Sequence, residues 1–170
     1  IGQGQVAPMK SPIPLGIQGH DPTIPIPVMN LSKARQYVLD WAAAQTPVVS
    51  MAGLTNETTD AMDALWVART GSTPIAKYVY NYNTGNSMRE AVGTLCKANF
   101  ELIGIEIEID GITWGEFLDL LYGGTVEVYM LGWGPDYNDP SNFVNPLFSS
   151  TSAANHARIA SQELDDAMGA

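Results

Sequence analysis

The sequence has 170 residues, a length that suits one domain of ordinary size with a real hydrophobic core. Its 45% hydrophobic and 9% aromatic content is that of a folded globular protein and excludes a disordered tail. Eighteen acidic residues against eight basic ones give a net charge of −10, which disfavours nucleic acid and anionic membrane surfaces as partners.

The chain begins with a proline-rich segment, which predicts an extended lead-in over residues 1–30. Prolines interrupt any helix or central strand there, at Pro8, Pro12, Pro14, Pro22, Pro25 and Pro27. A helix is predicted over residues 31–44, with Ser32 as its N-cap. Helical spacing predicts that its apolar face consists of Ala34, Tyr37, Val38 and Trp41.

A second helix is predicted over residues 57–70, after a loop that starts at residue 45. Thr55 or Asn56 is its expected N-cap, and Gly71 follows its last turn. The apolar face predicted for this helix consists of Met62, Leu65 and Trp66.

From residue 76 the pattern alternates between strands and helices. The predicted strands are 77–82, 105–109 and 125–131, with a helix over 87–103 and a shorter one opened by the capping box Thr113-x-x-Glu116. This β-α-β-α-β order predicts parallel strands joined by right-handed crossovers. The side chains expected to face the core are Met88, Ala91, Val92, Leu95 and Leu102 in the longer helix and Trp114, Phe117, Leu118 and Leu121 in the shorter one.

The last predicted strand leads into a segment dense in glycine, proline and aspartate, residues 132–140. In parallel sheets, ligands bind beyond the carboxyl ends of the strands. We therefore expect a cleft in which Trp133 is a flat apolar wall and Asp136 anchors a cationic group, with Tyr137 as a weaker ligand-binding candidate. Asp139 directly precedes a proline and is expected to shape the turn. The alternative left open is that Trp133 plugs the end of the sheet and both aspartates only bond the turn.

Other kinds of chemistry find little support. A calcium-binding EF-hand would need an oxygen ligand, a glycine and a glutamate where this sequence has Pro140, Ser141 and Leu147, so no metal site is predicted. Phosphate-binding glycine motifs are absent from the sequence, and no cofactor is predicted. Two carboxylates beside a cleft also occur in glycoside hydrolases, but nothing else in the sequence supports that reading. His20 and His156 are expected in exposed loops, and no catalytic residue is predicted.

The single cysteine and the two chain ends carry separate expectations. Because Cys96 is the single cysteine, no internal disulfide can form, and its thiol is expected to be partly buried and inert.

The sequence starts at Ile1 without a methionine or a signal peptide, and it ends at Ala170 within helix-like sequence. Both ends lead us to expect a piece of a longer protein.

Four motifs in the second half of the chain resemble a known family. They are Gly-Asn-x-x-Arg-Glu at residues 85–90, Gly-Ile-x-Ile-Glu-Ile at 104–109, Trp-x-x-Phe-Leu-x-x-Leu at 114–121 and Gly-Trp-x-x-Asp-Tyr-x-Asp-Pro-x-Asn-Phe at 132–143. Together they resemble the ligand-side lobe of the substrate-binding proteins of ABC transporters, in the oligopeptide/dipeptide class (extracellular solute-binding protein family 5). Residues 45–75, with their additional helix, depart from the compact loop that the family has there.

The resemblance implies a three-layer α/β lobe of the type II periplasmic-binding-protein kind, with a mainly parallel sheet flanked by helices. Residues 31–170 would form this single lobe of a two-lobe protein. In peptide-binding members, the aspartate matching Asp136 pairs with the terminal ammonium of the ligand, and the tryptophan matching Trp133 lines the pocket.

The same resemblance implies a binding protein without enzymatic activity. Its expected partners are a peptide or another small solute and an ABC permease in the membrane. It would act as a monomer in the periplasm or as a lipoprotein at the cell surface. An oligosaccharide receptor of the same fold is the alternative, with stacking surfaces at Trp66, Trp114 and Trp133, although the first two are expected to face the core.

Overall fold

The computed structural model describes residues 9–169, so the start of the lead-in, including Pro8, and the terminal Ala170 lie outside the described residues. The elements in chain order are α1 (Leu31–Ala44), α2 (Asp60–Ser72), β1 (Ala76–Asn83), α3 (Ser87–Glu101), β2 (Ile105–Ile112), α4 (Trp114–Gly123), β3 (Val128–Tyr129), α5 (Ser141–Phe148) and α6 (Gln162–Met168). Within residues 9–169, none of these helices has the length and apolar character needed to cross a membrane.

The chain divides into two compact units. The first contains the described residues up to Pro27, together with Thr113–Val126 and the chain from Met130 onward. The second contains Val28–Ile112 and Glu127–Tyr129. The three strands and helices α1–α3 therefore belong to the second unit, whereas helices α4–α6 belong to the first.

The second unit is built on a parallel sheet with the strand order β2-β1-β3. Strand β1 pairs with β2 along its whole length, whereas β3 adds only two residues, Val128 and Tyr129. The sheet is parallel, as predicted, but the third strand is shorter than the predicted 125–131. Just before β3, the carboxylate of Glu127 accepts a hydrogen bond from the backbone N–H of Val79 at 2.8 Å. The Glu127 side chain thus accepts the hydrogen bond of a β1 backbone N–H that would otherwise go to a backbone oxygen of a longer β3.

Helix α3 approaches the sheet closely at Gly93, which is not part of its predicted apolar stripe. A Cβ atom on Gly93 would lie 2.6 Å from ring carbons of Tyr80, which is 1% exposed, so only glycine permits this approach. The hydroxyl of Tyr80 in turn donates to the backbone oxygen of Arg89 at 2.8 Å. The predicted stripe was wrong for Met88, Ala91 and Leu95, which are exposed, whereas Val92 and Leu102 are half-buried.

Helix α1 is held by a fully buried arginine. The guanidinium of Arg35 donates to the backbone oxygen of Leu102 at 2.9 Å, to the backbone oxygen of Glu57, and to the carboxylate of Asp63 at 2.8 Å. It also lies over the ring of Trp66, 5.5 Å from its centroid. Arg35 therefore decides which side of α1 faces inward. On α1, Tyr37 and Trp41 of the predicted apolar face are exposed, and on α2 so is Leu65.

The N-caps of these two helices also differ from the prediction. Asn30, and not Ser32, caps α1 by accepting a hydrogen bond from the backbone N–H of Lys33. Helix α2 starts three residues later than predicted, because Thr59 caps it. Both caps are side-chain oxygens of the expected type, so the error lies in the choice among neighbouring candidates.

In the first unit, α4 begins with the predicted capping box. The Thr113 hydroxyl accepts from the backbone N–H of Glu116, and the Glu116 carboxylate accepts from the backbone N–H of Thr113. Phe117 and Leu121 are buried as predicted, but Trp114 is 47% exposed and does not face the core. Helix α5 was not predicted.

The titratable side chains singled out above lie in partly buried surroundings. Burial raises the pKa of the Cys96 thiol, as expected for an inert cysteine. The two histidines are half-buried, which contradicts the prediction of exposed loops. The Nδ1 atom of His20 lies 2.8 Å from the backbone oxygen of Ile13, and the ring of His156 packs edge-on against Tyr122.

Candidate functional site

The candidate site is the segment between β3 and α5, within the first unit. All three predicted ligand-binding side chains are accessible there: Trp133 is 37% exposed and Tyr137 is 56% exposed, and Asp136 is exposed as well. The segment carries no helix or strand of its own. Hydrogen bonds to α5 hold it at several points.

Asn142, in the first turn of α5, makes two of these contacts. Its backbone oxygen accepts a hydrogen bond from the indole Nε1–H of Trp133 at 2.7 Å. Its side-chain Oδ1 accepts a hydrogen bond from the backbone N–H of Asp136 at 3.2 Å. Asn142 is itself only 4% exposed. One buried residue thus holds both principal candidates of the site.

The two aspartates of the segment have different surroundings. The carboxylate of Asp139 accepts a hydrogen bond from the backbone N–H of Ser141 at 2.8 Å at the start of α5. The Ser141 hydroxyl and backbone N–H hold the pKa of Asp139 below its ordinary value. This confirms the prediction that Asp139 shapes the turn.

The carboxylate of Asp136, in contrast, makes no hydrogen bond or ion pair with any of residues 9–169. Ion pairs in this part of the chain join Arg35 to Asp63 and Lys77 to Glu106. Asp136 is therefore a free negative charge on a segment whose backbone is fixed. Such a group can receive a cationic ligand without first giving up an internal partner.

The aromatic candidates differ in how firmly they are held. The hydrogen bond from Nε1 fixes one edge of the Trp133 indole, while over a third of the side chain stays exposed. Tyr137 has only a long contact of 3.4 Å between its hydroxyl and that of Ser141. Trp66 is fully buried and donates to the backbone oxygen of Thr55, which removes it as a stacking surface for a sugar.

Two asparagines have structural roles that were not predicted, although Asn155 was one of the residues that fit the family resemblance. Asn142 stands within the Gly132–Phe143 motif, but spacing alone did not give it a role. Asn155 is 3% exposed and braces the chain that follows α5, because its amide donates to the backbone oxygens of Ser149 and Ile159 and accepts from the N–H of Ile159. An asparagine among apolar or small residues was the available signal for both.

Comparison with known proteins places these features in a family. Residues 1–155 match the model of the bacterial extracellular solute-binding proteins, family 5 middle. The periplasmic oligopeptide-binding protein OppA of Haemophilus influenzae is 27% identical over 135 residues, which cover 78% of this chain and 25% of that protein. OppA of Escherichia coli is 34% identical over 90 residues, which cover 51% of this chain and 16% of that protein. The chain spans a quarter or less of the length of the curated relatives that it matches.

Solved structures of periplasmic binding proteins share the fold. The ABC transporter-associated periplasmic binding protein DppA of Helicobacter pylori, in complex with the peptide STSA, superposes with a TM-score of 0.52 at 16% identity, covering 81% of this chain and 31% of that one. HbpA2 of Haemophilus parasuis superposes with a TM-score of 0.52 at 18% identity, covering 85% of this chain and 34% of that one. These likenesses confirm the predicted α/β fold class, with its parallel sheet flanked by helices.

Proposed function

Because this chain belongs to family 5 of the bacterial extracellular solute-binding proteins, we propose that it binds the amino terminus of a peptide within an ABC-import receptor. Asp136 pairs with the terminal ammonium of the peptide, and the exposed face of Trp133 covers the first residues of the ligand. Tyr137 is a further contact. The observation that carries this proposal is the carboxylate of Asp136, which is exposed and unpaired within residues 9–169 while its backbone is fixed.

Two further observations support a peptide as the ligand. The relatives include proteins named as oligopeptide-binding and di/tripeptide-binding. The anchor is also a carboxylate, which suits an ammonium group better than a neutral sugar. Of the three tryptophans considered as stacking surfaces for a sugar, Trp66 is fully buried, whereas Trp114 and Trp133 are exposed. The preference for a peptide over an oligosaccharide therefore rests on the carboxylate and on the relatives, and not on the number of tryptophans.

The receptor acts outside the cytoplasm, in the periplasm or attached to the cell surface by a lipid, and delivers its ligand as a monomer to an ABC permease. It performs no chemistry on the ligand. These statements extend the family name, which describes extracellular solute-binding proteins, and the names of the relatives, which are those of binding proteins.

The test is an isosteric substitution of the anchor, Asp136→Asn, in the complete protein. A charge-assisted hydrogen bond contributes about 1.5–3 kcal/mol, so the affinity for alanine peptides with a free amino terminus should fall roughly 10-fold to 150-fold. Calorimetry measures this change directly. Unchanged affinity would contradict the assignment of Asp136.

The matched control is Asp139→Asn, three residues further along the same segment. An asparagine there can still accept the hydrogen bond from Ser141, and the affinity should stay within about twofold of the wild type. An equal loss in both variants would mean that general negative charge, and not a specific anchor, attracts the peptide. A thermal-shift screen in which oligosaccharides stabilise the protein and peptides do not would overturn the proposed ligand class.

A further inference from the structure

We propose that Asn142 is a positioning residue that sets the preference for ligands with a free amino terminus by holding Asp136 in place. This inference rests on the proposed function, since it concerns the same anchor. Asn142 would not touch the ligand. It acts through the hydrogen bond between its Oδ1 atom and the backbone N–H of Asp136.

The backbone N–H of Asp136 has one described hydrogen-bond partner, the side-chain oxygen of Asn142. The hydrogen bonds that tie Trp133 and Asp136 to the rest of the unit both end on Asn142. The other described hydrogen bonds of this segment involve Tyr137 and Asp139, which follow the anchor in the chain. On the N-terminal side, a Cβ atom added to Gly132 or to Gly134 would meet no atom within 4 Å. The side chain of Asn142 is therefore the described contact that holds the anchor residue itself.

The two bonds use different parts of Asn142. The backbone oxygen, which holds Trp133, is present whatever the side chain at this position. The bond to Asp136 needs the side-chain oxygen. Substitution of the side chain should therefore release the anchor while the aromatic wall stays bonded, and the loss should fall on ligands that use the anchor.

The experiment compares free-amine alanine peptides with their N-acetylated counterparts in the complete protein, by calorimetry. The wild type should prefer the free amine roughly 10-fold to 150-fold. Asn142→Ala should weaken binding of the free-amine peptide about 2-fold to 12-fold, the equivalent of one neutral hydrogen bond, and leave the acetylated peptide within about twofold. Hydrogen exchange of the Asp136 amide, followed by NMR, should become faster in this variant without any ligand.

Two further variants separate positioning from general damage. Asn142→Asp keeps an oxygen acceptor for the Asp136 amide, and a negative charge is favoured in the first turn of a helix, so the exchange of that amide without ligand should stay as slow as in the wild type. Amide exchange is the readout for this variant, because a second carboxylate near Asp136 attracts an ammonium by itself. Asn145→Ala makes the same truncation one turn further along α5, at an exposed position, and should match the wild type within about twofold.

The outcomes distinguish this inference from the proposed function. If the wild type prefers the free amine and Asn142→Ala keeps the full preference, or weakens both peptides equally, the positioning role is wrong and the proposed function stands. An unchanged exchange rate of the Asp136 amide in Asn142→Ala would overturn the role as well, and so would an Asp136 amide that exchanges as fast in Asn142→Asp as in Asn142→Ala. A wild type without any preference would remove the proposed function and the inference together.

Discussion

The buried guanidinium of Arg35 should be a principal source of stability in the second unit. We consider its replacement by methionine, which keeps much of the volume and removes the charge. The substitution eliminates the hydrogen bonds to Asp63 and to the backbone oxygens of Glu57 and Leu102. It also removes the contact of the guanidinium with the Trp66 ring.

The size of the effect follows from what is left behind. Removing one partner of a buried ion pair costs about 3–5 kcal/mol, and each buried carbonyl left without its donor costs about 1–3 kcal/mol. The side chain of Asp63 is 34% exposed and can be rehydrated, and the methionine side chain recovers some apolar burial. We therefore expect Arg35→Met to lower the free energy of unfolding by about 3–5 kcal/mol, which corresponds to a fall in Tm of roughly 6–20 °C for a chain of this size.

Urea denaturation followed by tryptophan fluorescence measures this loss, because Trp66 lies beside the substituted group. Asp63→Asn keeps an acceptor for Arg35 and should cost only about 1 kcal/mol. The control is Lys77→Met, which breaks the exposed pair with Glu106 and should cost between about 0 and 1 kcal/mol. If Arg35→Met is no more destabilising than the Lys77 control, or Asp63→Asn costs as much as Arg35→Met, the reasoning is refuted.

Two other predictions concern stability and pH. Gly93→Ala should lower the free energy of unfolding by about 1–2 kcal/mol, because the new Cβ collides with the Tyr80 ring. Gly71→Ala lies in a helix with open space around it and should raise the free energy of unfolding by about 0.5–1 kcal/mol. Thermal melts in which both variants shift Tm in the same direction would contradict this. The folded pKa of Asp139 lies below its unfolded value near 3.8, so its stabilising contribution is complete above that value and is lost as the pH falls through the folded pKa. Melts between about pH 6 and pH 2 should show a smaller acid-induced loss for Asp139→Asn than for the wild type, and equal losses would count against the hydrogen bonds from Ser141.

The fold class was predictable because its signals are local. The strict alternation of residues 105–109 and the capping box at Thr113 each need only neighbouring residues, and both are found in the structure. The inward faces of α1 and α3 were not predictable from periodicity. They are decided by Arg35 and Gly93, whose roles depend on the carbonyls and the aromatic ring that the rest of the chain brings to them.

The turn-shaping role of Asp139 was predictable, because the proline that follows it indicated which acid shapes the turn. A tryptophan and an acid after a parallel strand led us to expect a cleft; the structure shows that Trp133 and Asp136 are accessible, and their contact with a ligand stays a prediction. The role of Asn142 was not predictable. Its bond to Asp136 spans six positions between an irregular segment and a helix, and no sequence periodicity reports such a contact.

The division of the two bonds at Asn142 has an evolutionary consequence. The bond to Trp133 ends on the backbone and is inherited with the helix, whereas the bond to Asp136 is inherited only with an acceptor side chain. If Asp136 and Trp133 bind the ligand as proposed, a substitution at residue 142 would relax the demand for a charged ligand terminus while Trp133 keeps its hydrogen bond. Ligand selectivity could then change through one position without any change in the aromatic residue that would cover the ligand.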